Sequence, residues 1–365
     1  MSAILARPAL PLGLLGLLLA PVAPHGPARA SAQEPSAAQD VGEADRGGGA
    51  SLDLGVGGVG VSFGDAPRWT GLRFNWRDSY IERIDGVNVT LWRPGREVGG
   101  AVNGLAIGLV APAAADIRGV ALGLGVLPER SAWGLTAGVL GIVSGGPVNG
   151  LSVGGLGIVT EGGGRGVHLA GLGVVSEGRL QGIHVAGLGV VSESRLEGVS
   201  VAGLGTVADG GVLGIGVGGL GLVSQRDLTG IAVGGLGTVA EGDVRGLAVG
   251  GLGTVANGRV QGIALGGLGV VGNRGIDGLA VGLLGVVTDA SLRGLGAGLY
   301  KVDADVVEGV SVAGWNRSRT RHAGLAIGLF NQSEELHGVQ IGVLNHAANN
   351  RAPFRWLPIL NLHLN

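Results

Sequence analysis

Cysteine is absent from this chain of 365 residues. That excludes disulfides, a thiol nucleophile, cysteine-bound metal and a lipid-modified N-terminal cysteine. Aromatic residues make up 3% and charged residues 14%, both low for an ordinary enzyme domain. Lysine occurs once, as Lys301; every other basic side chain is arginine. Lys plus Arg is 25 against 27 for Asp plus Glu, a net charge of −2, so nucleic acid has no electrostatic reason to bind. Beyond the N-terminus no stretch reaches the roughly 18 uninterrupted apolar residues of a membrane-spanning helix. What the chain has instead is glycine, 79 residues of it, in a sequence that is still 45% hydrophobic. Glycine without a strict proline-bearing triplet excludes collagen, and the apolar content is too high for a disordered linker.

The first 32 residues read as a secretory signal peptide. Arg7 supplies a positive start, Ala9 to Ala23 a short leucine-rich stretch, and Ala28-Arg29-Ala30 or Ala30-Ser31-Ala32 a small-x-small cleavage site. Residues 33–50 then read as a flexible linker, rich in small and polar side chains.

Internal repetition dominates the rest. A glycine followed by an aliphatic, a small residue and a second aliphatic recurs at Gly104, Gly119, Gly134, Gly150, Gly166, Gly182, Gly198, Gly214, Gly230, Gly246, Gly262, Gly278, Gly294, Gly309, Gly324 and Gly338. The steps are 15, 15, ten successive 16s, then 15, 15 and 14. Gly71 and Gly86 open two more divergent units. The chain therefore divides into divergent N-terminal repeats over 51–103, a regular array over 104–350 and a C-terminal cap over 351–365, with a last strand expected at 359–364.

Numbering each unit from its first glycine, the second and fourth positions are large aliphatics such as Ile183 and Val185, while the third and fifth are small. This period of two predicts a strand with one packed face. Size assigns the large aliphatics to the core, together with the leucine at position seven, the valine at ten and the aliphatic at fifteen. The small third-position row then forms a flat outer face. Position eight is Gly from Gly141 to Gly285 and later Asn316, Asn331 and Asn345, which predicts a turn through a left-handed residue there. Positions eleven to fourteen carry charges and turn residues, as in Ser192-Glu193-Ser194-Arg195. Two short strands and two turns per unit predict an all-β, repetitive β-solenoid (parallel β-helix-like) of about 16 coils. An antiparallel β-barrel or meander, one strand per unit, is the alternative.

The ends of the chain resemble a family of secreted bacterial surface repeat-containing proteins. The matching segments are GLAIGLFN at 324–331, GVQIGVLN at 338–345, LPILN at 357–361, GLRFNW at 71–76 and GVNVTLW at 86–92. The resemblance implies an exported, non-enzymatic repeat protein.

Side-chain chemistry is sparse. Gly55-x-Gly57-x-x-Gly60 and Gly214-x-Gly216-x-x-Gly219 match the dinucleotide fingerprint, but neither sits between a strand and a helix, and a chain this rich in glycine yields such matches by chance. His168 and His184 share the third position of successive units, so a solenoid stacks them as neighbours; they are the metal candidates, for Zn²⁺ or Cu²⁺. The acids at position twelve (Glu161, Glu177, Glu193, Asp209, Glu241 and Asp289) are expected to form a solvated rim with nearby arginines. No catalytic or cofactor-binding residue is assigned. The resulting expectation is a non-enzymatic secreted or cell-surface scaffold, spacer or adhesin-like protein. It would meet protein or glycan partners through the flat Ala/Gly/Ser strand face, with no nucleic-acid partner and with membrane association left open. An outer-membrane β-barrel acting as pore or anchor is the alternative, and the location is exported in either case: cell surface, outer membrane or extracellular.

Overall fold

The structure, a computed structural model, describes residues 50–94 and 98–364. The signal peptide read at 1–32 and all but the last residue of the linker read at 33–50 lie outside the described residues. Among the described residues every regular element is a β-strand, and no helix is long and apolar enough to cross a membrane.

The strands stack in parallel, one coil upon the next. Leu180–Ala186 pairs with Leu196–Ala202 and Gly173–Ser176 pairs with Gly189–Ser192, each residue opposite the one sixteen positions on. Each regular coil thus holds a seven-residue strand, an apolar corner, a four-residue strand and a charged turn. The result is a β-solenoid of about 16 turns. At about 4.8 Å per coil the stack is roughly 75–80 Å long. An antiparallel barrel or meander would pair neighbours about a moving turn, and the array does not. Among the described residues antiparallel pairing appears only at the two ends. Ser51–Val56 folds back on Val59–Gly64 through a turn at Gly57 and Gly58, and Trp356–His363 runs back along the final coil. These hairpins cover the open ends of the stack, where unpaired backbone would otherwise be exposed. The closing strand begins three residues before the expected 359.

The first glycine of each unit is where the backbone needs glycine. At Gly198 φ is +106°, and a Cβ would lie 2.2 Å from the carbonyl oxygen of Gly182 in the coil before. The same conformation recurs along the ladder from Gly60 to Gly338. Position eight, where the left-handed turn was expected, has no positive φ in the array. Nor do the asparagines replace that glycine. Trp315 pairs with Lys301, and Asn316 pairs with Val302. One residue is missing from the corner at 313–314, so Asn316 occupies the inward ninth position held by isoleucine, valine, threonine or leucine from Ile142 to Val302.

The faces are also inverted relative to the size-based expectation. Within the coil containing Gly182, Leu180, His184, Ala186, Val190 and Ser192 are buried, while Ile183, Val185 and Leu188 are exposed. The third-position residues Ala232, Ala248, Ala264 and Ala280 are fully buried. The flat small-residue face is therefore the interior lining, not an outer binding surface. The cause is a narrow, tapering cross-section. At position five a Cβ on Gly234 would lie 1.9 Å from the carbonyl oxygen of Gly237 in its own coil. The large buried aliphatics fall in two ladders, Leu180, Leu196, Leu228 and Ile276 at position fifteen and Ile142, Ile158 and Leu222 at position nine. Sizes compensate within the core: a Cβ on Gly216 would lie 2.4 Å from Leu222 Cδ1, so the leucine fills the space the glycine leaves.

Candidate functional site

The register brings His168 and His184 together, His168 opposite His184 in adjacent seven-residue strands. Their rings stack with centroids 5.0 Å apart, but inside the solenoid, because position three points inward. The coil of His168 has Gly164 where its neighbours have Val148 and Leu180. The imidazole fills that space, since a Cβ on Gly164 would lie 2.7 Å from His168 Nε2.

The hydrogen bonds determine the tautomers. His168 Nε2 lies 3.0 Å from the Val148 carbonyl, which can only accept, so His168 carries its proton on Nε2. His168 Nδ1 is then an acceptor, and His184 Nδ1, 3.0 Å away, donates to it. His184 Nε2 is left as a buried lone pair without a partner. Burial pushes the pKa of His168 down, opposed by the Val148 carbonyl. For His184, burial and then the neighbouring imidazole push it down to about 3. Both rings are neutral at physiological pH. As a metal centre the pair offers one free nitrogen lone pair, and among the described residues no group of three His, Asp or Glu converges on a point.

A second buried polar cluster went unread in the sequence. Arg73, fully buried, donates from Nη1 to Asp78 Oδ1 and to Asn88 Oδ1, each at 2.7 Å, and pairs through Nη2 with Asp65. Asp78 also accepts from Asn75 Nδ2 at 2.7 Å and from Thr90 Oγ1 at 2.8 Å. Arg73 and Asn88 occupy the inward third position, where the array carries small residues, and that departure was the available signal. A third polar row lies in the last coils. Asn316 Nδ2 donates to Asn331 Oδ1 at 2.8 Å, and Asn331 Nδ2 donates to Asn345 Oδ1 at 2.7 Å. Asparagines stacked in register pair with one another along the ladder, which offsets most of the cost of an amide at the apolar ninth position; Asn316 Oδ1, at the first rung, is left buried without a partner.

The outside is divided into two edges. Between Gly134 and Leu299 every charged side chain falls at position twelve, thirteen, fourteen or sixteen. The position-twelve acids line this edge as expected, among ion pairs such as Arg245–Asp227 at 3.0 Å and Arg259–Asp277 at 2.8 Å. Arg195, Arg226, Asp227 and Arg245 border a hollow of about 600 Å³ on the same edge. The opposite edge is the apolar corner, with leucine at position seven from Leu140 to Leu284, flanked by valine and leucine at positions four and ten. Aromatic rows occur only on the end coils, as in the exposed stacks Phe63–Phe74 and Trp76–Trp92. The glycine fingerprints resolve into backbone: Gly55–Gly60 forms the N-terminal hairpin, and Gly214 and Gly216 lie within the strand Val212–Gly218.

Comparison of the chain with protein-family models, with curated proteins and with solved structures finds no match.

Proposed function

We propose that this protein is a non-enzymatic, exported structural rod that serves as a scaffold or spacer and presents a repeated surface to a partner. The observation that supports this reading is how the side chains are allocated. Inside, polar groups are spent on the stack itself: Thr206, Thr238 and Thr254 each donate to a backbone carbonyl of the next coil, and the histidines bond to each other. Outside, charges are gathered on one edge and opposed by their neighbours. The interaction surface in this reading is the outward set of positions two, four, seven and ten. The likeness of 324–331 and 338–345 to secreted surface-repeat proteins agrees with export, as does the leader-like segment at 1–32. The barrel alternative required antiparallel neighbours, so any membrane role would run through the outside of the rod rather than through a pore.

Export has a direct test. The chain has no cysteine, so Ser194→Cys on the charged turn introduces a unique thiol. When the full chain is produced in a bacterial host, a membrane-impermeant maleimide should label that thiol on intact cells or in the medium. Labelling only after lysis would overturn the exported reading.

A further inference from the structure

Ten consecutive coils place leucine at the same exposed corner, from Leu140 through Leu188 to Leu284, and these side chains are 45% to 55% exposed. Stacking does not require them. Position seven points out of the core, and the opposite turn, equally outside, carries Glu, Asp, Asn, Ser and Arg. The ridge is rigid, because the corner has its own backbone ladder: Leu188 N donates to the Leu172 carbonyl at 2.7 Å, and Leu204 N to that of Leu188 at 2.8 Å. Glycine borders it on both sides, at position six from Gly155 to Gly267 and at position eight from Gly141 to Gly285. The molecule therefore presents a continuous leucine ridge, with a furrow that lacks side chains on each side of it through the eight coils from Leu156 to Leu268.

We infer that this edge binds a second copy of the chain, the leucine ridge of each protomer lying in a glycine furrow of the other. The inference rests on the scaffold reading and names its partner. Two arguments select this occupant. The first is spacing. Ten rungs at about 4.8 Å make a ridge of about 43 Å, and over that length a partner must repeat at the same interval to keep its side chains between the leucines. Another copy does so by construction, in an isologous contact of the kind most homodimers use. The second is area. From position four to position ten the contour is six residues around the corner, at most about 20 Å at the roughly 3.3 Å per residue of an extended chain, so the apolar strip covers at most roughly 860 Å² over the two sides of the corner together. A standard interface buries about 800 Å² per partner, whereas exposed apolar patches on monomers rarely exceed a few hundred Å². A lipid surface fits less well. Amphipathic elements that lie on membranes use Trp and Tyr at the interface and an excess of basic residues. Here no aromatic residue lies between Trp133 and Tyr300, and the charged edge carries slightly more acids than arginines.

The test is sedimentation velocity on the full exported chain at micromolar concentration, with circular dichroism to confirm the β-fold. The wild type should sediment as a dimer or larger. Leu204→Lys combined with Leu236→Lys should weaken association by on the order of a hundredfold, while Ser194→Lys on the charged edge leaves it unchanged. Both leucines are exposed, so the folded array should survive the change. A folded wild type that stays monomeric at tens of micromolar overturns the inference, as does association that the two lysines leave intact. Monomers that bind phosphatidylcholine vesicles, losing that binding with the lysines, overturn it in favour of a lipid. A monomer that is still labelled on intact cells would leave the exported scaffold standing, whereas a dimer confined to the cytoplasm would do the reverse.

Discussion

Acidification should open the coils around His184 before the rest of the regular array. The His184 pKa is pushed down to about 3 in the folded chain, whereas an unfolded imidazole titrates near 6.5. Between those values the unfolded chain holds a proton that the folded chain lacks, so stability falls as the pH falls. The full contribution is present above about pH 6.5 and is lost progressively toward about pH 3. At about 1.4 kcal/mol per pH unit, moving from pH 7.5 to pH 5 should cost about 2 kcal/mol at this site. His322, pushed down to about 4 by burial, should add a similar loss in the coils near the C-terminus. Stacked repeats open locally, so the measurement is hydrogen exchange, corrected for intrinsic rates and read over 180–186 and 318–325. His184→Ala is the companion variant, because alanine is the buried occupant of this ladder at Ala232, Ala248, Ala264 and Ala280. At pH 7.5 the emptied volume should cost roughly 2 kcal/mol. At pH 5 that deficit should vanish, because the variant no longer resists a proton, and the two curves should meet. Parallel curves for wild type and variant from pH 7.5 to pH 5 would refute the reasoning.

Three further outcomes follow from the core. Gly198→Ala puts a side chain on a residue at φ +106° and against the Gly182 carbonyl, and should lose at least about 3 kcal/mol, seen as a fall in the thermal midpoint or failure to refold. Asn331→Leu keeps the volume but strips partners from both Asn316 and Asn345; a loss of about 3 kcal/mol is expected in urea unfolding, and an unchanged midpoint would show that the amide ladder contributes nothing net. Arg73→Met leaves Asp78 buried beside Asn75 and Thr90 without its cation. It should cost about 3–5 kcal/mol, with exchange protection lost before Gly104 and retained from Gly150 onward.

The sequence carried the period of the fold but not its phase. Glycine spacing carried the coil length, the number of coils and the atypical ends, because each is a direct consequence of repetition at a fixed interval; the choice of a parallel stack over antiparallel neighbours is made by the strand register. Alternation says that one face of a strand is packed; it does not say which, and size pointed the wrong way. The decisive residues were at position sixteen. Arg165, Glu197, Arg245, Asp277 and Arg293 share strand parity with positions two and four, and a charge turned into a narrow apolar interior is far more costly than an exposed valine. Those charges fix the even positions outward, and with them Ile183 and Val185. Asn316 was misread for another reason. Counting from the first glycine of the unit conceals a deletion within the corner, and only pairing with Val302 shows that the amide has moved one place into the core. The burial of the histidine pair follows from the same phase: once position three points inward, stacked imidazoles must be neutral and bonded to each other.

This inversion explains why so much apolar surface is left outside. A coil of sixteen residues closed by two tight corners encloses a space that takes small side chains with one or two aliphatics or an imidazole, as in Leu180, His184, Ala186, Val190 and Ser192, so the lateral core is thin and much of the cohesion runs along the axis in hydrogen-bonded ladders. Glycine permits this at two places for different reasons. At the first position it supplies a conformation other residues avoid; at the sixth it removes a Cβ that would meet the carbonyl of the coil before, 2.0 Å away at Gly187. The second requirement hollows out the surface on one side of the leucine ridge. Backbone stacking therefore dictates the furrow, whereas nothing in the stack dictates the leucine beside it. A corner that could carry any polar side chain but repeats leucine through ten coils has its requirement outside the monomer, and a second rod with the same rung spacing meets it along the whole ridge.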